Sequence, residues 1–353
     1  MARKLHTAVS RYTGVRKKSR PPVVPLVGFA SPIGIRNDNQ PGWFPPTRIE
    51  DYGIITTEGP RPAAFRGINI FYRSAITAGV NNTNIFESEA LANNWQLIGT
   101  NGQTLRNGQY GGVLCDVGLA SYRNRWMQAA EARMTSLASD GMWIDDATPR
   151  VADFTGGVWP QKYPTMDAYK AVLVEFAQAV YAYFNPRGKK MAYNTGVSLD
   201  NTGALTAAWW PQIGPWTHYL TSEYWLHVPG QSVRTVGTAW WQNWDGYRNL
   251  HTVAKNAGAG FLPVMDGTGG LATQAYSLGT FMLDWTGTPQ GGANQWMWSY
   301  VTQQDPWSTF YSQAIALGKP AAAPVQISSN VWRRQYQNGT VTVNANTGVA
   351  TIP

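Results

Sequence analysis

The chain has a single cysteine, Cys115, in 353 residues. This excludes an intramolecular disulfide and any zinc site built on cysteine. Histidine is scarce as well: only His6, His218, His227 and His251 occur, and none has HExxH-like spacing. No metal and no cofactor is therefore expected. No run of 18 apolar residues is present, so no membrane span is expected. The opening stretch MARKLHTAVSRYTGVRKKSRPP lacks the apolar centre of a secretory signal, and the protein is read as made in the cytoplasm without one. There is no G-x-S-x-G elbow, no Walker lysine loop, and no G-x-G-x-x-G after the first apolar run. Cys115 adjoins Asp116 rather than an electropositive setting, which argues against a thiolate nucleophile. A Schiff-base lysine would end a strand, whereas Lys189 and Lys190 precede theirs.

Aromatic residues are abundant. The chain carries 17 Trp and 17 Tyr, while charged residues make up only 14%, a composition that builds a large core and leaves rings for sugars or bases. The net charge is +8, but it is concentrated. Arg3, Lys4, Arg11, Arg16, Lys17, Lys18 and Arg20 lie in the first twenty residues with no acid among them. The remainder is nearly neutral and shows no basic face of its own, so nucleic acid is not an expected partner. Residues 1–22 read as an extended basic arm, bounded by Pro21, Pro22 and Pro25.

Beyond the arm, short apolar runs alternate with helical periodicity. Strands are expected at 24–30, 52–59, 67–75, 141–146, 190–196, 218–225, 260–267 and 295–301. Leu119, Tyr122, Trp126, Ala130, Met134 and Leu137 recur at helical spacing, as do Tyr169, Val172, Leu173, Phe176, Val180 and Phe184. Further helices are expected over 235–256, 272–285 and 306–317, and residues 77–118 read as loop, short helix and small hairpin. Eight strands alternating with helices predict an α/β fold, a (β/α)8 TIM barrel over residues 23–319. An open doubly wound sheet is the competing arrangement. Residues 320–353 contain two turn signals, Asn338-Gly339 and Asn346-Thr347-Gly348, and predict a β-hairpin extension packed on the barrel.

In a barrel the carboxyl ends of the strands form the functional mouth. The stretch SDGMWIDDATP ends a buried strand on two adjacent acids, Asp145 and Asp146, a costly arrangement unless they are solvated in a pocket or paired. Glu223 and Asp266 end two other strands. These four are the candidate catalytic carboxylates. Glu58, Tyr72, Arg73, Tyr193, Asn194, Tyr224, Trp225 and Trp298 lie at or near the same ends and are the candidate substrate-binding residues. Acids ringed by aromatics suit a carbohydrate, whose C–H faces stack on rings and whose oxocarbenium-like transition state calls for nearby negative charge. A single strand-end Asp can equally be a helix cap, and the pairs Trp209-Trp210 and Trp240-Trp241 read as core.

The order NNWQLIGTNGQTL, LCDVGLASYRNRW, SDGMWIDDA resembles a hypothetical glycosyl hydrolase-like family of TIM-barrel proteins. There a W-x-L line precedes an Asp-containing turn, a Tyr-Arg-Trp helix and a D-G-x-x-x-D strand. VWRRQYQNGTVTVN is similar to the W-x-R-x-F-x-N-G hairpin that closes such barrels, with Tyr336 in place of Phe. The resemblance covers residues 24–344. It implies that Asp145, on the fourth strand, is the nucleophile or base and that Glu223, on the sixth, is the proton donor. Trp143 stands where a smaller apolar residue is usual and could crowd the site. Similar proteins occur in bacteriophage tails, which implies a virion minor tail or tail-tip protein. Its partners would be host cell-surface or cell-wall polysaccharide and, through the basic arm, other tail subunits. The alternative is a structural or adhesin tail protein that keeps the barrel without the chemistry.

Overall fold

The computed structural model describes residues 33–37, 52–79, 84–195, 204–228, 230–238, 243–265, 270–287, 296–299 and 309–353. In chain order, strands β1 (Ile33–Asn37), β2 (Ile54–Thr57) and β3 (Ile68–Ser74) come first. They are followed by β4 (Thr77–Ala78), helix α1 (Glu87–Ala92) and β5 (Val113–Leu114), where β4 and β5 form a small antiparallel pair. Then strand and helix alternate: α2 (Ala120–Leu137), β6 (Gly141–Asp145), α3 (Met166–Phe184), β7 (Lys190–Asn194), α4 (Ala204–Ile213), β8 (Tyr219–Glu223), α5 (Trp244–Asn256), β9 (Gly260–Met265), α6 (Leu271–Asp284), β10 (Trp296–Ser299) and α7 (Thr309–Ala316). Strands β11 (Val325–Ser328), β12 (Val331–Tyr336), β13 (Gly339–Asn344) and β14 (Val349–Thr351) end the chain.

The parallel strands curl into one sheet in the order β1-β10-β9-β8-β7-β6-β3-β2, with β1 bridging β10 and β2 to close it. Helices follow β3 and each strand from β6 to β10. Between β2 and β3 the chain crosses as a loop, residues 58–67, so a complete eightfold strand–helix repeat is not seen. The first strand expected, at 24–30, lies outside the described residues. The strand that closes the sheet, IGIRN, was not anticipated because it carries Gly34, Arg36 and Asn37 and reads as a turn. Helix α4 was missed as well: its segment ALTAAWWPQI contains Pro211, which sequence reading takes as a breaker.

Period-2 alternation sorts the strand side chains into two layers. Ile54, Ile68, Ile70, Trp143, Ala192, Tyr219, Leu262 and Val264 pack together inside the barrel, with Tyr72 against them. The alternate residues, among them Phe71, Met142, Ile144, Tyr193, Leu220 and Phe261, face the helices. Gly141 opens β6 where a Cβ would sit 2.0 Å from the Lys190 carbonyl oxygen, so only glycine lets β6 and β7 start in register.

The four C-terminal strands form an antiparallel sheet in sequence order. Tyr336 pairs with Gly339, which places the reversal at Gln337-Asn338, one residue ahead of the expected Asn338-Gly339. Alternate residues of β12 fasten this sheet to the barrel. Trp332 lies 6.1 Å from Trp244, with the Arg248 guanidinium 4.2 Å from the Trp332 ring centre. One Arg334 nitrogen donates to the carbonyls of Met282, Leu283 and Trp285 at 3.0, 2.8 and 2.6 Å, and its Nε donates to Ala322. Tyr336 also donates its hydroxyl proton to Met282. These carbonyls end α6 and have no partner within the helix, so the W-x-R-x-Y alternation is a C-terminal cap delivered from a strand. Among the described residues no helix is long and apolar enough to cross a membrane.

Candidate active site

Asp145 is the last residue of β6 and shares the inward parity of Trp143. One carboxylate oxygen, Oδ2, accepts from the Tyr72 hydroxyl at 2.6 Å. The other, Oδ1, accepts from Asn194 Nδ2 at 2.8 Å and from the Asp146 backbone N–H at 2.9 Å. Tyr72 and Asn194 come from the flanking strands β3 and β7, at the same inward parity. Three donors converging on one carboxylate hold its position.

Asp146, by contrast, turns away. Its backbone is left-handed, φ +59°, which breaks the strand and sends the side chain to β3, where Oδ2 accepts from Ser74 Oγ at 2.7 Å. Ser74 Oγ in turn accepts from the N–H groups of Ile76 and Thr77. The backbone there is held by the aromatic residues of α2: Tyr122 donates to the Ala75 carbonyl at 2.9 Å and Trp126 Nε1 to the Ser74 carbonyl at 3.0 Å. The Asp-containing turn ahead of α2 is similarly tied, with Asp116 accepting from Gly118 N, Tyr163 Oη and Lys162 Nζ. The motif residues ahead of the D-G-x-x-x-D strand thus build the wall on which Asp145 stands. In that strand Asp140 accepts from Asn69 N at the opposite end and ion-pairs with Arg61.

Glu223 ends β8, partly exposed, opposite Val264 of β9. It shares the inward parity of Tyr219 and lies on the strand next but one to Asp145, with β7 between them. Strand spacing of about 4.8 Å puts their backbones roughly 10 Å apart, and inward side chains of a curled sheet converge. Trp143 is fully buried in the interior layer beneath, so it forms the floor rather than a plug. Asp266 lies outside the described residues, and Trp298 is a residue of β10.

Several expected binding residues are not brought to this cluster. Arg73 follows the inward Tyr72 and therefore points outward. Its guanidinium is fully buried 4.8 Å from the ring centre of Trp126, and burial lowers its pKa to about 9. Tyr193 precedes Asn194 and faces the helices, where burial pushes its hydroxyl well above the usual tyrosine range. Trp225 is 1% exposed, edge-on to Tyr247 and Phe261. Arg133 of α2 donates to the Glu58 carboxylate at 3.1 Å and to the Glu58 carbonyl oxygen at 3.0 Å. Tyr224 is exposed beside Glu223. Ser74, missed from the sequence, joins the site through Asp146; its only signal was a place two residues beyond Tyr72 on β3. Trp209 and Trp210 are core, and the pair at 240–241 lies outside the described residues. Among the described residues no cluster of His, Cys, Asp and Glu could hold a metal.

The family model described as hypothetical glycosyl hydrolase family 15 matches residues 70–340, more than half of the chain. The chain belongs to this family. The matched region spans the carboxylate cluster, its supporting wall and most of the hairpin that caps α6. No curated protein matches in sequence. Among solved structures, the family member is similar to a GH31 dextranase of Flavobacterium johnsoniae complexed with glucose. The two are 11% identical, with a TM-score of 0.51, covering 93% of this chain and 52% of that one. A mutant of the same enzyme complexed with isomaltotriose gives a TM-score of 0.50 at 11% identity, over 93% and 52% of the two chains. A cycloisomaltooligosaccharide glucanotransferase of Paenibacillus sp. follows at 12% identity and a TM-score of 0.46, over 68% and 39%. At 11% identity the likeness to the dextranase is one of fold. The chain spans less than two thirds of the length of each of these structures.

Proposed function

We propose that this protein hydrolyses O-glycosidic bonds with two carboxylates at the barrel mouth, the barrel being a (β/α)8 type that has lost part of its repeat. Asp145 supplies negative charge to the anomeric carbon as it becomes oxocarbenium-like, and Glu223 donates its proton to the departing glycosidic oxygen. Water completes the hydrolysis. The observation that carries this reading is the seating of Asp145, whose carboxylate is held by three donors while it remains partly exposed at the carboxyl end of β6. Asp146, tied to Ser74, supports the turn rather than the chemistry.

Incubation with isolated bacterial cell-wall polysaccharide, followed by assay of new reducing ends, tests the proposal. Release by the parental protein and loss of release in Glu223→Gln, with recovery on aryl glycosides whose leaving group needs no proton, is the expected result. Persistent binding without release would identify a binding-only barrel instead.

The setting we propose is a bacteriophage tail acting on host surface glycan. Its support is the cationic stretch from Arg3 to Arg20, which lies outside the described residues and is suited to docking on a neighbouring tail subunit. Deleting residues 2–20 should abolish incorporation into particles and leave cleavage unchanged; normal incorporation would refute the docking role.

A further inference from the structure

Arg73 is a buried cation whose N–H groups meet no acceptor among the described residues. It follows Tyr72 on β3, faces the helices and is 0% exposed. Neither Nε nor either terminal nitrogen has a hydrogen-bond partner there, so five donors in a fixed fork are unmatched. The ring centre of Trp126 in α2 lies 4.8 Å from the guanidinium carbon, and a contact of this kind recovers only part of what burying an ion costs. Burial lowers the pKa of Arg73 only to about 9, so the charge persists at neutral pH. A desolvated charge calls for a counter-charge and an acceptor.

The neighbouring acids are already engaged. Arg125 and Glu58 are the charged side chains that act on Arg73. Arg125 gives Nε and a terminal nitrogen to the two carboxylate oxygens of Glu89 at 2.6 and 3.1 Å, and Glu58 accepts from Arg133. Among these described side chains three arginines meet two glutamates, and the charge left over is on the one guanidinium that has no acceptor. The partner that fits it carries a single negative charge, accepts without having to donate, and is small, because Arg73 is wholly enclosed. A halide ion meets all three conditions. Water brings no charge and adds protons of its own, whereas sulfate is larger and doubly charged.

We propose that Arg73 binds a monovalent halide, chloride being the abundant one, in a closed anion site between β3 and α2. The site lies behind the wall that supports Asp145, since Trp126 also holds the Ser74 carbonyl and Ser74 holds Asp146. Thermal unfolding of the full chain at constant ionic strength, with sodium chloride replacing sodium gluconate, gives the first test. The parental midpoint should rise by at least about 2 °C and saturate, as expected of a ligand that binds only the folded state. Arg73→Met, which fills the space without the charge, should not respond to chloride. A crystal structure of the parental protein equilibrated with sodium bromide gives the second test and needs no variant to fold. An anomalous bromide peak in contact with the Arg73 guanidinium is the expected result. Bromide confined to the protein surface, an adventitious ion only, would overturn the proposal, as would water at the guanidinium or a chloride response that is equal in Arg73→Met.

Discussion

Replacing Asp145 by asparagine separates charge from shape at the centre of the site. Among the described residues, Oδ1 faces two donors, Asn194 Nδ2 and the Asp146 N–H, whereas Oδ2 faces the Tyr72 hydroxyl. An amide placed here has one good orientation. Its oxygen must take the two-donor side, and its nitrogen then meets Tyr72, whose hydroxyl rotates to accept. All three contacts survive, one of them reversed, and each changes from charge-assisted to neutral. That loss is offset by no longer desolvating a carboxylate, so urea unfolding should report a stability change within about 1 kcal/mol. The chemical cost is much larger. A unit charge about 4 Å from a developing cation is worth about 4 kcal/mol at the effective dielectric of a partly buried site, on the order of a thousandfold in rate. Any covalent role adds to this. Reducing-end assays should therefore show at least a thousandfold loss with the fold intact. Tyr72→Phe should cost more stability in the parental protein than in the Asp145→Asn background, by about 1 kcal/mol, because only the parent loses a charge-assisted bond. A rate within tenfold of the parent, or a stability loss above about 3 kcal/mol, would refute this account of Asp145.

Arg334→Met should lower unfolding free energy by about 2–5 kcal/mol, since it strips four donated hydrogen bonds and leaves buried carbonyls at the end of α6 unpaired; a loss below about 1 kcal/mol in urea titration would mean that the hairpin cap is dispensable. Cys115 is fully buried, and burial raises its thiol to about 12, so little thiolate exists at pH 8. Its modification by a disulfide reagent should proceed only as fast as the protein opens, and rapid labelling under native conditions would contradict the placement.

Much of this architecture was legible along the chain because its cause is local. Runs such as GMWID and GFLPVM are apolar on both faces, as strands buried between a barrel interior and a helical layer must be, and the periodicity of residues 119–137 and 169–184 is that of helices covering them. The position of Asp145 at the mouth followed from the same reasoning. Alternation also held information that choosing residues by chemical type overlooked: Tyr72 and Arg73 are adjacent, as are Tyr193 and Asn194, and one member of each pair must face away from the interior. Tertiary structure alone decided the rest. Asp145 and Asp146 are chemically equivalent in sequence, and only the left-handed turn at Asp146, stabilised by Ser74 from a strand 72 residues away, assigns one to the mouth and the other to the wall. Tyr224 and Trp225 are adjacent aromatics, and the bond from the Trp225 N–H to the Val264 carbonyl accompanies burial of the second and exposure of the first. Such choices rest on hydrogen bonds between strands distant in sequence, and no local pattern encodes them.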